Sequence, residues 1–347
     1  MRILVIGGTN FIGPRVIAEL HRQEHEITVY HRGVHEADLP TAVRHIHDPR
    51  AEIPISHFPS SLTDPLPDVV LHMFPIGEND TKAAIARFAG VAHRIVAISS
   101  GDVYRAYGRL LGTEPGPAEA VPLTEQAPLR EELYPYRSSA SAGTSDWTYH
   151  YEKILVERAL LAGNLPATIL RLPAVYGPDD PHSRLRPFVK RMVDGRPAIL
   201  IETHNATWRW THGYVEDVAA AIASATTNER AVGKVYNLGE AMVPTMLERV
   251  RRIGQALQWT GTVVSLDRDR LPAHLQPRFE PRQDLVMDTG AIRAELGFRE
   301  SLTESEGLYR TIEWERGHPS KTGDPTIEEY RAEDAALAEY EHQRGTT

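Results

Sequence analysis

The first hundred residues alternate between short runs that are apolar throughout and longer segments with one apolar face. The runs at 2–7, 26–31, 68–74 and 94–100 predict strands, and the segments at about 13–22 and 80–89 predict helices. Strands that are apolar on both sides and separated by helices indicate a parallel sheet covered on both faces. The pattern therefore predicts an α/β fold with a Rossmann-type, doubly wound parallel sheet.

The pattern changes between 105 and 145, where Gly, Pro, Ser and Glu dominate and a long, partly mobile loop is expected. Regular patterns resume with a predicted helix at about 147–162 and a predicted strand at 167–177. A further helix and strand are predicted at 215–226 and 234–239.

Beyond residue 178 predicted strands become sparse, which suggests a second, smaller domain. We expect a dinucleotide-binding domain at 1–177 with an insertion at about 105–145, and a mainly substrate-binding domain at 178–325. Segments at about 210–240 are expected to return to the first domain, and a polar tail helix is expected at 326–347.

Composition narrows the class of protein. The chain has 347 residues, of which 41% are hydrophobic, and it contains no cysteine, so thiol chemistry and disulfides are excluded. No apolar run approaches the roughly 20 residues of a membrane span, and the apolar N-terminal run is too short for a signal peptide. A net charge of −9 argues against general binding to nucleic acid or acidic membranes. A cytoplasmic protein that acts on a small molecule is expected.

The sequence GGTNFIG at 7–13 follows the first predicted strand and opens the first predicted helix. Glycines in that position let the backbone approach a pyrophosphate, and the start of the helix offers free N–H groups. Asn10 replaces the middle glycine of the usual spacing and tolerates positive φ better than most residues. The context indicates a dinucleotide-binding turn.

The second predicted strand ends in VYHRG, where NAD-preferring enzymes usually carry an acid. Arg32 is suited to a 2′-phosphate and so favours NADP over NAD, although a solvated arginine is the alternative. Asp48 is placed to meet the adenine end, or is simply a turn residue before Pro49. The expected cofactor contacts in these segments are Gly7, Thr9, Asn10, Phe11, Ile12, Gly13, His31, Arg32 and Asp48.

The stretch DWTYHYEKILVER, residues 146–158, places Tyr149 and Tyr151 close to Lys153. On a helix, residues four apart share a face, whereas residues two apart lie about 200° apart around the axis. The spacing therefore directs Tyr149 and Lys153 into one cleft and Tyr151 elsewhere. A tyrosine with a pKa of about 10 needs a nearby cation to act as a base, and Lys153 supplies it. Ser100, at the end of a predicted strand, is placed to hydrogen-bond the same substrate oxygen.

These motifs stand in an informative order. The chain resembles the extended short-chain dehydrogenase/reductase superfamily and its NAD-dependent epimerase/dehydratase family through three motifs: GGTNFIG, ISSGDVY (98–104) and YHYEK (149–153). The similarity continues through RLPAVYGP (171–178), YVEDVAAAI (214–222), VYNLG (235–239) and DTGAIRAELGF (288–298). By this resemblance Ser100, Tyr149 and Lys153 match the catalytic triad, and Tyr149 and Lys153 also contact the cofactor, NAD or NADP. The resemblance implies a homodimer.

Departures from the family pattern bear on the substrate. Ala174 stands where sugar-nucleotide epimerases present an asparagine, and Gly101 with Asp102 lacks half of the acidic pair of the dehydratases, which argues against dehydration. Arg209 and Arg282 resemble the arginines with which the family grips a diphosphate, and a surface or ion-paired arginine is the alternative for each. The expected substrate contacts are Asp102, Tyr176, Arg209 and Arg282, and no metal site is expected, since His72, His182, His204 and His212 have no metal-ligand spacing.

The leading hypothesis is an NAD(P)-dependent, epimerase-like enzyme that moves hydride at a hydroxyl-bearing carbon of a small molecule such as a nucleotide sugar, with Tyr149 as the acid/base. The first alternative is an NADP(H)-dependent ketone or aldehyde reductase of secondary metabolism. The second is a non-catalytic protein that senses the cofactor or binds a partner. LYPYR at 133–137 either closes over the substrate as a lid or belongs to a disordered loop.

Overall fold

The computed structural model describes residues 1–141, 143–318 and 323–345, so Ala142 in the insertion and residues 346–347 of the predicted tail helix lie outside the described residues. Within these ranges the strands are β1 (Arg2–Ile6), β2 (Glu26–His31), β3 (Arg44–His47), β4 (Val69–His72), β5 (Arg94–Ser100), β6 (Ala167–Leu172), β7 (Ala174–Tyr176), β8 (Ala198–Glu202), β9 (His212–Tyr214), β10 (Val235–Asn237) and β11 (Thr262–Leu266). The helices are α1 (Ile12–Arg22), α2 (Glu78–Phe88), α3 (Arg105–Leu111), α4 (Trp147–His150), α5 (Lys153–Ala162), α6 (Arg186–Val193), α7 (Thr203–Thr207), α8 (Val215–Thr227), α9 (Met246–Ala256), α10 (Gly290–Leu296), α11 (Glu304–Gly317) and α12 (Ile327–Gly345).

A seven-stranded sheet forms the centre of the molecule, in the order β10-β6-β5-β4-β1-β2-β3. Every pair of neighbouring strands in it is parallel. The chain leaves β1 toward β2 and β3 on one side and then returns to β4 on the other side. The order therefore reverses between β1 and β4, and the predicted doubly wound Rossmann-type fold is confirmed.

Both faces of this sheet are buried, as the continuous apolar strands require. Ile3 and Val5 pack into a core cluster that includes residues of α1 and α8. The alternate residues Leu4 and Ile6 pack on the opposite face, in a cluster that includes residues of α2 and α5. Because successive side chains of a strand point to opposite faces, a strand covered by helices on both sides must be apolar at every position.

The strand predicted at 167–177 is divided into two. Pro173 lies between β6 and β7, and its backbone has no N–H to continue a ladder. β6 stays in the central sheet beside β5, whereas β7 pairs with β9 in a separate two-stranded sheet. β8 and β11 form another two-stranded sheet.

The insertion is more ordered than the sequence pattern indicated. It opens with α3, which was not predicted, and two isolated bridges tie it to the rest of the chain, one from Leu123 to Met287 and one from Leu129 to Tyr104. The side-chain amide of Asn237 in β10 donates to the carbonyl of Leu123 at 2.9 Å. The composition of this segment hid these contacts because they join residues far apart in the chain.

The single helix predicted at 147–162 is wrong, because the chain forms α4 and α5 with an interruption at Tyr151 and Glu152. The Asp146 side chain caps α4 by accepting from the N–H of Thr148, and the Glu152 side chain caps α5 by accepting from the N–H of Ile154. A residue whose side chain caps a helix has non-helical backbone angles, and Glu152 has φ −155° and ψ 97°. Two caps six residues apart therefore make two helices.

A buried ion pair holds this interruption in place. Arg130, in the insertion, contacts Glu152 at 3.2 Å, and the two side chains are 1% and 0% exposed. Arg130 also donates to the carbonyl oxygens of Asp102 and Glu132, and the Glu152 carboxylate accepts from the N–H of Tyr134. The insertion thus fixes the start of α5.

The tail helix α12 packs against α6 through an ion pair, in which the Glu333 carboxylate lies 2.6 Å from the Arg191 guanidinium. Across the described residues, no helix has both the length and the apolar character needed to cross a bilayer.

We predict that Arg130→Ala lowers the free energy of unfolding by about 3–5 kcal/mol, because it leaves the Glu152 carboxylate buried without its cation. Equilibrium denaturation in urea measures the change. The matched control is Arg310→Ala, which breaks the pair between Arg310 and Glu216, whose side chains are 48% and 40% exposed, and which should cost less than about 1 kcal/mol. Equal losses in the two variants would contradict the structural role of the buried pair.

Candidate functional site

A cavity of about 560 Å³ opens where the order of the strands reverses. Its lining comes from the turn after β1, the end of β2 and the segment after β4. The lining includes Gly7, Gly8, Thr9, Asn10, Phe11, Ile12, Gly13, His31, Arg32, His72, Phe74, Asp80, Ile98, Trp147, Leu172 and His182. A crevice at the carboxyl ends of parallel strands, at such a reversal, is where this class of sheet binds ligands.

The turn between β1 and α1 has no room for side chains. Gly7 and Gly8 have φ angles of 79° and 90°, which L-residues with a Cβ rarely adopt. A Cβ on Gly13 would lie 2.3 Å from the Cα of Gly8. The turn is therefore a compact cradle of backbone atoms at the start of a helix, which suits a pyrophosphate.

His72 gives a second sign that the cavity is shaped for a ligand. It ends β4, is 1% exposed, and lines the cavity, yet neither ring nitrogen has a hydrogen-bond partner among the described residues. Burial, and then the charge of Lys153, lower the pKa of the His72 imidazole to about 3, so the ring is neutral. Unpartnered buried polar atoms are uncommon in proteins and call for a partner. The glycine cradle and this histidine together fit a dinucleotide cofactor.

His31, the last residue of β2, and Arg32 after it both line the wall of the cavity. Asp48 takes a different position. Its carboxylate accepts from the hydroxyl of Tyr30 at 3.1 Å and from the N–H of Arg50, and it is absent from the residues that line the cavity. These contacts agree with the alternative role of Asp48, that of a turn residue before Pro49.

Ser100, Asp102 and Tyr151 form a polar group at the end of β5. The hydroxyl of Tyr151 donates to the Asp102 carboxylate at 2.9 Å, and the hydroxyl of Ser100 accepts from the N–H of Asp102 at 3.2 Å. Burial, and then the charge of Asp102, raise the pKa of Tyr151 well above its ordinary value of 10, while the nearby Ser100 hydroxyl lowers it. Tyr151 is therefore a firmly protonated phenol.

The insertion completes this group. Tyr136, within the predicted lid segment 133–137, donates its hydroxyl to the same Asp102 oxygen at 3.0 Å. The hydroxyls of Tyr136 and Tyr107 lie 2.9 Å apart. One oxygen of Asp102 thus accepts from two phenols, while its other oxygen is buried and has no hydrogen-bond partner in the part of the chain that the structure describes.

Lys153 connects the polar group to the cofactor cavity. It begins α5, is 4% exposed, and donates to the carbonyl oxygens of Pro75 and Ile98, the latter at 2.9 Å. Its ammonium lies 5.3 Å from the centre of the Tyr151 ring. Burial lowers the pKa of Lys153 to about 8, against the opposing influence of nearby carboxylates, of which Asp102 is the largest.

Tyr149 lies elsewhere. It is half-buried in α4, the Arg137 guanidinium lies 4.6 Å from its ring centre, and its ring contacts that of His150. Within the described residues, no hydrogen bond or ring contact joins Tyr149 to Ser100 or Lys153. The shared face inferred from the spacing of Tyr149 and Lys153 required a continuous helix, which the Glu152 cap interrupts.

The other residues expected to contact substrate are dispersed. Arg209 pairs with Asp284 through two hydrogen bonds of 2.9 and 2.7 Å. Arg282 is 70% exposed, with Glu280 3.6 Å away. Tyr176 lines a separate cavity of about 270 Å³. Of this set, the structure brings only Asp102 to the Ser100 hydroxyl.

Sequence reasoning missed Tyr107, Tyr136 and Tyr151 as members of the polar group and His72 as part of the cofactor cavity. One available signal was the position of His72 at the end of a predicted buried strand, where ligands bind. The three tyrosines had no comparable local signal, because they meet at Asp102 only after the insertion folds.

Comparison with known proteins gives the family. The model for the "NAD dependent epimerase/dehydratase family" matches residues 3–239. The chain belongs to this family. Among curated relatives, the 2′-dehydrokanamycin reductase of Streptomyces kanamyceticus is 28% identical over 265 residues, which cover 74% of this chain and 67% of the relative. The UDP-N-acetyl-alpha-D-glucosaminuronate decarboxylase of Bacillus cytotoxicus is 24% identical over 347 residues and covers 91% and 98% of the two chains.

A solved structure agrees with the fold. The UDP-glucuronic acid 4-epimerase of Bacillus cereus, in complex with UDP-glucuronic acid and NAD, superposes with a TM-score of 0.64 at 17% identity and covers 91% of this chain and 99% of that one. The family predicted from the motifs is confirmed.

We predict that Gly13→Ala weakens NAD(P)H binding by at least about tenfold, or 1.4 kcal/mol, because the added methyl group forces Gly8 out of the cradle. Fluorescence titration with NADH and NADPH measures the change. Gly317→Ala is the control, since a Cβ there meets nothing within 4 Å, and it should bind as the wild type does. Undiminished binding by a folded Gly13→Ala protein would contradict the assignment of the cradle.

Proposed function

We propose that the protein is an NAD(P)H-dependent reductase of a ketone or aldehyde in which Tyr151 is the proton donor. The observation that carries the proposal is the position of the Tyr151 hydroxyl, 2.9 Å from the carboxylate of Asp102, whose N–H donates to the Ser100 hydroxyl. Two hydroxyls at the carboxyl end of a parallel strand, next to a dinucleotide cavity, are suited to hold a carbonyl oxygen.

The surroundings of Tyr151 favour an acid over a base. Burial and the Asp102 carboxylate raise the pKa of its phenol well above 10, so the proton is present at neutral pH. Reduction of a carbonyl starts from this protonated phenol and leaves a phenolate, which the charge of Lys153 must stabilise against the opposing charge of Asp102.

In the proposed reaction, bound NAD(P)H supplies the hydride to the carbonyl carbon. The Ser100 hydroxyl donates a hydrogen bond to the carbonyl oxygen and orients it. The Tyr151 O–H rotates from Asp102 toward that oxygen and transfers its proton, which completes the alcohol. The charged Lys153, 5.3 Å from the Tyr151 ring centre, stabilises the phenolate that forms. Solvent then returns a proton to Tyr151 once the site opens.

The segment 133–137 packs against this polar group, since the Tyr136 hydroxyl donates to Asp102 from there. We propose that it moves to admit substrate, as the lid hypothesis requires.

The expected diphosphate contacts give little support to a nucleotide substrate, because the Asp284 carboxylate engages Arg209 and Arg282 extends into solvent. The name of the Streptomyces kanamyceticus relative, a 2′-dehydrokanamycin reductase, supports the reductase proposal.

Sugar-nucleotide epimerisation is the second candidate. It is supported by the family and by a decarboxylase named for a UDP-sugar that matches 91% of this chain. In that reaction the cofactor stays bound and is restored in each cycle, so the enzyme would be purified with NAD in place.

For either reaction, Arg32 in the cavity wall supports a preference for NADP, because its guanidinium is suited to the 2′-phosphate of that cofactor. The homodimer remains a prediction.

We predict that Tyr151→Phe lowers kcat for carbonyl reduction by about 10²- to 10⁴-fold, the usual contribution of a positioned acid, while NADPH affinity is unchanged. Tyr149→Phe is the matched control and should change kcat by less than about threefold, because its ring packs under Arg137. NADPH oxidation with a panel of ketones and keto sugars provides the assay.

The reverse ranking of the two variants would restore the role that the spacing suggested for Tyr149.

Native mass spectrometry of the purified wild-type protein distinguishes the wider alternatives. Uptake of NADPH from solution by an empty protein supports a reductase, retained NAD supports an epimerase, and no affinity for either cofactor supports the non-catalytic hypothesis.

We also predict a pH limit set by Lys153. Because burial lowers the pKa of its ammonium to about 8, the charge that stabilises the phenolate is present below that pH and is lost above it. We expect kcat/KM for the carbonyl substrate at saturating NADPH to fall about tenfold per pH unit above this value. Lys153→Met should be slow and lack this alkaline decline, whereas the exposed Lys82→Met should keep it. A decline that persists unchanged in Lys153→Met would contradict the role of the lysine.

A further inference from the structure

Three histidines and one glutamate meet at the edge of the central sheet, next to the cofactor cavity. His31 ends β2 and lies directly opposite His47 of β3 in the parallel register. His45 lies two residues before His47, so both side chains leave the same face of β3. Glu36, in the connection between the strands, completes the group. One ligand atom from each of the four residues lies within 4.8 Å of the others.

The side chains of this group lie within hydrogen-bonding distance of one another. His31 Nε2 and His45 Nδ1 are 3.0 Å apart, and His47 Nε2 is 3.1 Å from Glu36 Oε1. The ring centres of His31 and His47 lie 4.3 Å apart, and those of His31 and His45 lie 5.2 Å apart. Two hydrogen bonds therefore link the four side chains in pairs, while the register of the strands brings the pairs together.

This arrangement matches the requirements of a tetrahedral metal ion. Zinc bonds imidazole nitrogen at about 2.0–2.1 Å and carboxylate oxygen at about 2.0–2.2 Å, so neighbouring ligand atoms around it lie about 3.3 Å apart. Two of the contacts are already close to that separation, and side-chain rotation within the 4.8 Å group can bring in the others. The strand register fixes the backbone positions of the three histidines.

We propose that His31, His45, His47 and Glu36 bind a divalent transition-metal ion of the zinc class. Three imidazoles and one carboxylate suit zinc or cobalt rather than magnesium or calcium, which prefer all-oxygen sites. Four protein ligands leave no open position, so the site is structural. It fixes β3 and the loop after β2, and through His31 it orients one wall of the cofactor cavity.

The surroundings allow the ion to enter. The side chains of His47 and Glu36 are 47% and 57% exposed, whereas His31 is buried. An ion can therefore bind the two exposed ligands first and then reach the inner two. When His31 binds the ion through Nε2, its ring proton lies on Nδ1. Nδ1 then no longer accepts the hydrogen bond from the N–H of Gly33, which is 3.3 Å long. This single contact is a small cost beside four metal bonds.

The test uses full-length protein without a polyhistidine tag, stripped of metal with a chelator and titrated with Co²⁺ and then with Zn²⁺. We expect one Co²⁺ per chain, a visible d–d absorption band of tetrahedral intensity, and displacement of that band by one equivalent of Zn²⁺. The double variant His45→Ala, His47→Ala should lose at least about a hundredfold in Zn²⁺ affinity, since even a partner outside the ligand set is worth 10- to 100-fold.

His57→Ala is the control, because His57 is exposed and lies outside the group. It should bind as the wild type does, and circular dichroism of both variants in chelator should match the wild type, since His45 and His47 are not part of the buried core. Glu36→Gln should weaken binding while it preserves side-chain shape. Adventitious binding, shown by sub-stoichiometric uptake, by an octahedral Co²⁺ spectrum, or by equal affinity in the double variant and the control, would overturn the proposal. Since none of these readouts is catalytic, they do not depend on the reductase assignment.

Discussion

The buried carboxylate of Glu152 is the constraint on which the candidate active site depends. It caps α5 through the N–H of Ile154, pairs with Arg130, and accepts from the N–H of Tyr134. A charge with no exposed surface must satisfy its acceptors, and these three partners do so only when the backbone at Glu152 is extended. The helix therefore ends before Tyr151 and restarts at Lys153.

That interruption decides which tyrosine enters the site. With the chain extended at residues 151 and 152, the Tyr151 hydroxyl reaches Asp102, and the buried Lys153 donates to the carbonyl of Ile98, a residue that lines the cofactor cavity. Tyr149 is left in α4 against Arg137. The insertion takes part directly, because Arg130 holds Glu152 and Tyr136 shares the Asp102 oxygen. A segment that resembles a surface loop in composition thus shapes the centre of the site.

Local patterns predicted every strand of the central sheet except β3, with β2 and β5 at the predicted bounds, and they predicted the glycine turn, because these features are encoded within a few residues. The same local logic failed at Tyr149. The i, i+4 rule holds inside one helix, whereas the cap at Glu152 is stabilised by Arg130, which belongs to a segment without periodicity. The pairing of His31 with His47 was equally hidden, since it arises from the register of two strands. Contacts between distant segments are the part that a single sequence did not reveal.

The central claim is that Tyr151 faces the substrate oxygen. A crystal structure of the protein with oxidised cofactor and an alcohol product tests it most directly. The account predicts the product oxygen within about 2.6–3.2 Å of both the Tyr151 and the Ser100 hydroxyls, with Glu152 still capping α5. A continuous helix through residues 147–162, with the Tyr149 hydroxyl on that oxygen, would contradict it.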